Sequence, residues 1–167
     1  MSKSSNNHNR LTCSCEPLEE KLSIAIEEGE IPFRDAKQRT KILYDKWDWD
    51  KSEANKLWAF GPEGEGPNMI VDITTGCQFM NEIKEHMVSG FEQVTKAGVL
   101  CEESLRGVRF NVNDTHLHND SIHRGGGQIS PATRRVLYAT ELLAEPSLQE
   151  PVFLVEITTP NDLVGKI

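Results

Sequence analysis

Residues 116–128 read HLHNDSIHRGGGQ, and this stretch concentrates groups able to bind or transfer: His116, His118, Asp120, His123 and Arg124, followed by three glycines. His116, His118, Asp120 and His123 have the residue types and close spacing with which imidazole and carboxylate ligands hold a water-activating metal, the chemistry of a metal-dependent hydrolase. Against this, position 121, where that pattern wants a histidine, is Ser121, and no histidine follows His123. A strand would also send His116 and His118 to one face and leave His123 beyond it. The second chemistry is anion contact. Arg124 can fork to a phosphate, and Gly125, Gly126 and Gly127 can offer successive backbone N–H groups with no Cβ in the way. Such a loop reads shape rather than bases, which suits the backbone of duplex RNA. On these residues alone, a plain glycine turn between two elements stands as the alternative.

Other chemistries lack their residues. GPEGEGPN at 61–68 has glycines but no lysine for a phosphate loop, and no Gly-x-Ser-x-Gly elbow occurs. NEIKEH at 81–86 lacks the second histidine of a zinc-protease helix, so His86 reads as a half-buried or solvated helix residue. Cys13 and Cys15 fall on one face of a strand and read as small core residues. The four cysteines form no Cys-x-x-Cys pair, which suits a reducing compartment. VFLV at 152–155 is far short of a membrane span, and MSKSSNNHNR is not a signal peptide. The expectation is a soluble, cytoplasmic chain with no membrane partner.

The net charge of −8 argues against a generally basic nucleic-acid binder. Its distribution is uneven. Residues 1–15 carry Lys3 and Arg10 and no acid, and residues 102–135 carry five arginines against four acids. Residues 16–101 hold 10 bases against 17 acids, and residues 136–167 hold one against five. Four of the five histidines also lie in the two non-acidic segments. If those segments meet in space, an acidic body carries one His-rich, neutral-to-basic end.

The positioning elements follow from periodicity. Leu11, Cys13 and Cys15 alternate as in a strand. Pro17 opens a helix with Leu18, Leu22 and Ile26 on one face, closed by Gly29. A charged second helix covers about 32–47, and Asp50 with Glu53 forms a capping box for a short helix through Trp58. GPEGEGP at 61–67 reads as a loop separating this helical part from the rest. MIVDIT at 69–74 reads as a strand. Phe79, Ile83, Met87, Phe91 and Val94 make the buried face of a longer helix stopped by Gly98. Val108, Phe110 and Val112 mark a strand running toward the glycines. Ser130 is an N-cap before Pro131, with Ala132, Val136, Ala139 and Leu143 as the inner face of the next helix. PVFLVEIT at 151–158 reads as a further strand, the start of a domain that the chain cuts short. Strands and helices without strict alternation indicate an α+β domain.

LHNDSIHRGGGQISPATRR, together with SKSSNNHNRL, LWAFGPEGEGPNMIVDIT, NEIK and AGVLCEESLRGVRF, resembles the fourth domain of the eukaryotic elongation factor 2 family, the ribosomal translocases. The likeness covers nearly the whole chain, and HRGGGQ is the eukaryotic form of the motif. It implies a two-layer, ribosomal-protein-like sandwich with a left-handed βαβ crossover and a helical insertion at about 30–66. Residues 1–150 would be the tRNA-mimicking tip domain, and 151–167 the first strand of the following, fifth domain.

The resemblance further implies a part in translation elongation: holding codon–anticodon pairing and reading frame while the GTP-dependent translocase moves tRNA and mRNA. The partners would be the ribosomal decoding site, tRNA and mRNA. His123 would be the histidine converted to diphthamide, which brings in diphthamide-synthesis enzymes and ADP-ribosylating toxins. His8, Asn9, His118, Asp120, His123, Arg124, Gly125, Gly126, Gly127 and Gln128 would form the contacting tip. No catalytic residue, metal ligand or cofactor is implied for this chain, GTP and Mg²⁺ belonging to the parent's separate G domain. Asn119 and Ser121 stand where the family mostly has alanine, Ser130 replaces an apolar residue, and residues 12–30 diverge.

Overall fold

The alternation of Leu11 with Cys13 and of Phe110 with Val112 defines two strands that face the same helices, and the sheet is built around them. The structure is a computed structural model and describes residues 1–160. In chain order its elements are β1 (Ser2–Lys3), β2 (Arg10–Pro17), α1 (Glu20–Glu27), α2 (Ala36–Trp47), α3 (Lys51–Asn55), β3 (Leu57–Gly61), β4 (Asn68–Asp72), α4 (Met80–Lys96), β5 (Val108–His116), a 3-10 turn (Ser121–Arg124) and α5 (Gly126–Leu143). The strands form one sheet in the order β1-β2-β5-β4-β3. Only β4 and β5 run parallel. Parallel neighbours need a crossover, and α4 supplies it.

The α+β expectation holds. Helices α4 and α5 cover one face, where Leu11, Ile70, Ile83, Met87, Phe91, Phe110, Val112, Ile129 and Val136 form one core. A second apolar cluster joins Leu22, Ile26, Leu43, Phe60, Met69 and Val71, so α1–α3 cover the opposite face only toward β3 and β4. The alternating residues of β4 thus feed both cores, and all five are buried. That is why Met69–Val71 reads as a continuous apolar run. Cys13 and Cys15 join the first core or pack on it, and burial pushes both thiols up to about 12. They are inert core residues, as expected.

Several element bounds differ from expectation. Pro17 closes β2 instead of opening a helix, and α1 starts at Glu20. The Asp50 carboxylate accepts from the Ser52 and Glu53 backbone N–H groups as a cap should, but the helix ends at Asn55. Leu57–Gly61 is a strand because Leu57 and Phe60 enter the second core while the backbone pairs with β4. GPEGEGP is therefore a β-hairpin loop, and helix in the expected 30–66 insertion is confined to 36–55. Phe79 is half-buried at the N-cap of α4 rather than in its buried stripe.

Helix α5 begins at Gly126, so Ser130 is no N-cap and Pro131 lies inside the helix. The early start buries Ile129 completely, and the Gln128 and Ile129 N–H groups donate to Gly125 O at 2.9 and 3.1 Å. The freed Ser130 hydroxyl donates to His86 O at 2.9 Å. The buried stripe is Ile129, Ala132, Thr133, Val136, Leu137, Thr140 and Glu141, which leaves Ala139 and Leu143 outside it. Residues 151–158 form no strand; they are mostly exposed and pair with no neighbour among the described residues. A strand needs a partner for its backbone groups. Residues 161–167, the rest of the expected fifth-domain segment, lie outside the described residues. No described helix is long and apolar enough to cross a membrane.

Candidate functional site

Three separate pieces of chain meet at one end of the sheet: the β1–β2 loop, the segment leaving β5, and the first turn of α5. Ser4 and Asn9 close the first loop through Ser4 N–H donating to Asn9 O and Asn7 N–H donating to Ser4 O, both at 2.9 Å. Asn7 takes the left-handed φ of 60° that this turn requires and that asparagine tolerates. Asn9 is fully buried. Its side-chain amide donates to His123 O at 2.7 Å and to Ser4 Oγ at 3.0 Å, and its Oδ1 accepts from the His118 N–H at 3.1 Å. Asn6 adds a second donor to His123 O at 2.8 Å, and its own N–H donates to Gln128 Oε1 at 3.0 Å. A loop near residue 6 is thus tied to a turn near residue 123 through carboxamides, whose paired donor and acceptor suit a bridge between two backbones.

The histidine-bearing segment is fixed from within as well. Asp120 accepts from the Ile122 N–H at 3.1 Å and opens the 3-10 turn, while the Asp120 N–H donates to His118 Nδ1 at 3.0 Å. Four donor contacts then seat Arg124. Nε and Nη2 each donate to the Glu82 carboxylate at 2.9 Å, and Nη1 donates to His118 O at 2.8 Å and Asn119 O at 2.7 Å. Its guanidinium carbon lies 4.0 Å from the centre of the Phe79 ring. Arg124 is 7% exposed. The expectation of a phosphate fork therefore fails: these donors already have protein acceptors, and the side chain holds the tip to α4. Asn9, expected as a surface contact, is likewise an internal tie.

With their backbones fixed, the imidazoles of His8, His118 and His123 face one another at ring-centre separations of 4.6–4.8 Å. His8 is exposed and the other two half-exposed. His116 is not part of this group; it pairs with Arg10 at the end of β5. Among the described residues, no group of three or more histidines, cysteines, aspartates or glutamates is placed to hold a metal ion, and the hydrolase reading has no support.

The glycines do not form an anion-cradling loop of their own. Gly125 is the α5 N-cap, Gly126 and Gly127 are its first two residues, and none of the three has a left-handed φ. Gly126 lies against His86: a Cβ there would sit 2.9 Å from the imidazole Nδ1. At Gly125 and Gly127 a Cβ would meet none of the described residues within 4 Å. The helix start has no side-chain cap, so its positive dipole end opens at the tip.

Sequence reasoning gathered His8, Asn9, His118, Asp120, His123, Arg124, the glycines and Gln128 at one end, and there they are. It missed Ser4, Asn6, Phe79 and Glu82. Asn6 beside Asn9 in a short polar loop was a usable signal; Glu82, 42 positions from its partner, gave none. Residues 25–145, most of the chain, match the family model described as elongation factor G, domain IV. The match includes the 3-10 turn and α5 but begins after the β1–β2 loop.

Proposed function

Because this chain belongs to the elongation factor G domain IV family, a family of translation elongation, we propose that it is the RNA-engaging tip domain of a eukaryotic-type ribosomal translocase. The tip enters the decoding site behind the advancing tRNA and holds codon–anticodon pairing in frame. It hydrolyses no GTP by itself; GTP and Mg²⁺ belong to a separate G domain of the parent protein. His123 is the diphthamide site and hence the target of ADP-ribosylating toxins, its main chain anchored by Asn6 and Asn9 while its ring stays half-exposed.

The observation that carries this reading is Gly127. Its φ is ordinary and no described residue occupies the space of a Cβ. In a first helical turn alanine would be the more stable choice by up to about 1 kcal/mol. A reason for glycine there lies outside the chain, in a partner whose backbone comes close. The uncapped start of α5 beside it favours a phosphate.

The test is translocation by the full factor carrying this domain with Gly127→Leu. Frame slippage should rise while ribosome-independent GTP binding stays unchanged; slippage at the wild-type level would sink the reading. Peptide mass across His123 from the native host should show the diphthamide increment, and an unmodified histidine there would remove that part of the proposal.

A further inference from the structure

Lys3, Arg10 and His116 stand in one cross-strand row. Lys3 pairs with Arg10 across β1 and β2, and Arg10 pairs with His116 across β2 and β5. Leu11 points into the core under α5, so by alternation Arg10 and its row project from the opposite face, which α1–α3 leave open at this end. All three are exposed. Arg135 reaches the same edge from α5 and donates to Lys3 O at 2.7 Å.

Like charges directly opposite on a sheet are destabilising. Here no ion pair offsets them: among the described residues, Lys3, Arg10, Arg134 and Arg135 have no carboxylate within 4.0 Å. Arg106 and Arg109 each hold two carboxylates, and Arg124 holds one. Asp114, the next residue along β5 on the row's face, accepts instead from Cys77 Sγ at 3.3 Å. A chain of net charge −8 has acids to spare, yet among the described residues none comes within 4.0 Å of these cations.

We infer that the row Lys3–Arg10–His116, with Arg135 at its edge, is a binding surface for the phosphate backbone of RNA, separate from the imidazole tip. It rests on the reading of this end as RNA-engaging, and extends it from the loops to the open sheet face. With strands about 4.8 Å apart, the row of two cations and an imidazole spans about 10 Å, enough to meet more than one phosphate. Phosphates would relieve the Lys3–Arg10 repulsion and release counterions, so binding through the row is strongly salt-dependent and indifferent to sequence.

The experiment measures binding of the full chain to a 20-base-pair RNA duplex by fluorescence anisotropy over a salt series. Lys3→Ala with Arg10→Ala should weaken binding and reduce the slope of log affinity against log salt by about 2, roughly one per lost phosphate contact. The same double variant, without RNA, should melt at a higher temperature than wild type. That opposite sign is what a merely structural role would not give. Lys41→Ala, an exposed lysine on α2, is the control and should change neither affinity nor slope. An unchanged slope in the double variant, or an equal loss with Lys41→Ala, overturns the inference. If Gly127→Leu weakens binding while the double variant does not, this surface fails and the tip reading stands; if neither weakens it, both fail.

Discussion

Arg124 and Gly127 are three positions apart and have opposite relations to the fold. Arg124 joins Glu82, Phe79 and two main-chain carbonyls, so Arg124→Ala strands a half-exposed carboxylate and two acceptors. Losing these charge-assisted bonds costs about 1–3 kcal/mol, readable as a lower urea midpoint, and Arg124→Lys should recover less than half because an ammonium cannot fork. Gly127→Ala should raise the midpoint, by up to about 1 kcal/mol of stability. Gly126→Ala should lower it by forcing the His86 ring aside, and His86→Ala in the same chain should remove that penalty in a double-mutant cycle. Motif spacing marked these positions but could not tell an exposed arginine from a buried one. The carboxylate that decides it lies on another helix.

At the scale of elements, the contact between α4 and α5 is set by Gly90, where a Cβ would lie 2.9 Å from Thr133 Cβ and 3.1 Å from Ser130 O. Gly90→Ala should force the helices apart and cost about 1–3 kcal/mol by thermal unfolding. Farther along α5, Glu141 is 2% exposed; its Oε1 accepts from the Val99 N–H at 3.1 Å and its Oε2 has no partner among the described residues. Burial pushes this carboxyl above the ordinary range, against the opposing effect of the Val99 bond. A raised folded pKa means a contribution that is fully present below the unfolded value and lost as pH rises through the folded one. As pH rises above the ordinary glutamate range near about 4.3, Glu141→Gln should therefore remove part of the decline in melting temperature and stabilise the chain at neutral pH. The cap at Asp50 was legible because it is local, its carboxylate accepting from N–H groups two and three residues on; Asp35 caps α2 in the same way. β3 was not legible, because Leu57–Gly61 becomes a strand only through β4.

Over the whole molecule, the non-acidic segments at residues 1–15 and 102–135 meet in the paired β2 and β5 and in the loops beyond them, while the acids dominate the rest. Elsewhere the acids engage arginines, as where Arg106 bridges Glu20 and Glu27 and holds the Glu20 carboxyl below its ordinary range. Phe153 and Val155 are 86% and 71% exposed, so Phe153→Ser with Val155→Ser should leave the unfolding midpoint within about 0.5 kcal/mol of wild type. The sequence by itself determined the α+β class and the main core strands, because alternation and capping are written in near neighbours; the gathering of His8, His118 and His123 came only as what the family resemblance implied. Only the tertiary structure decided that Arg124 and Asn9 are internal ties, that the glycines start a helix, and that Lys3, Arg10 and His116 share a row. Those outcomes depend on partners brought close by strand register and helix packing, and spacing along the chain carries no record of them.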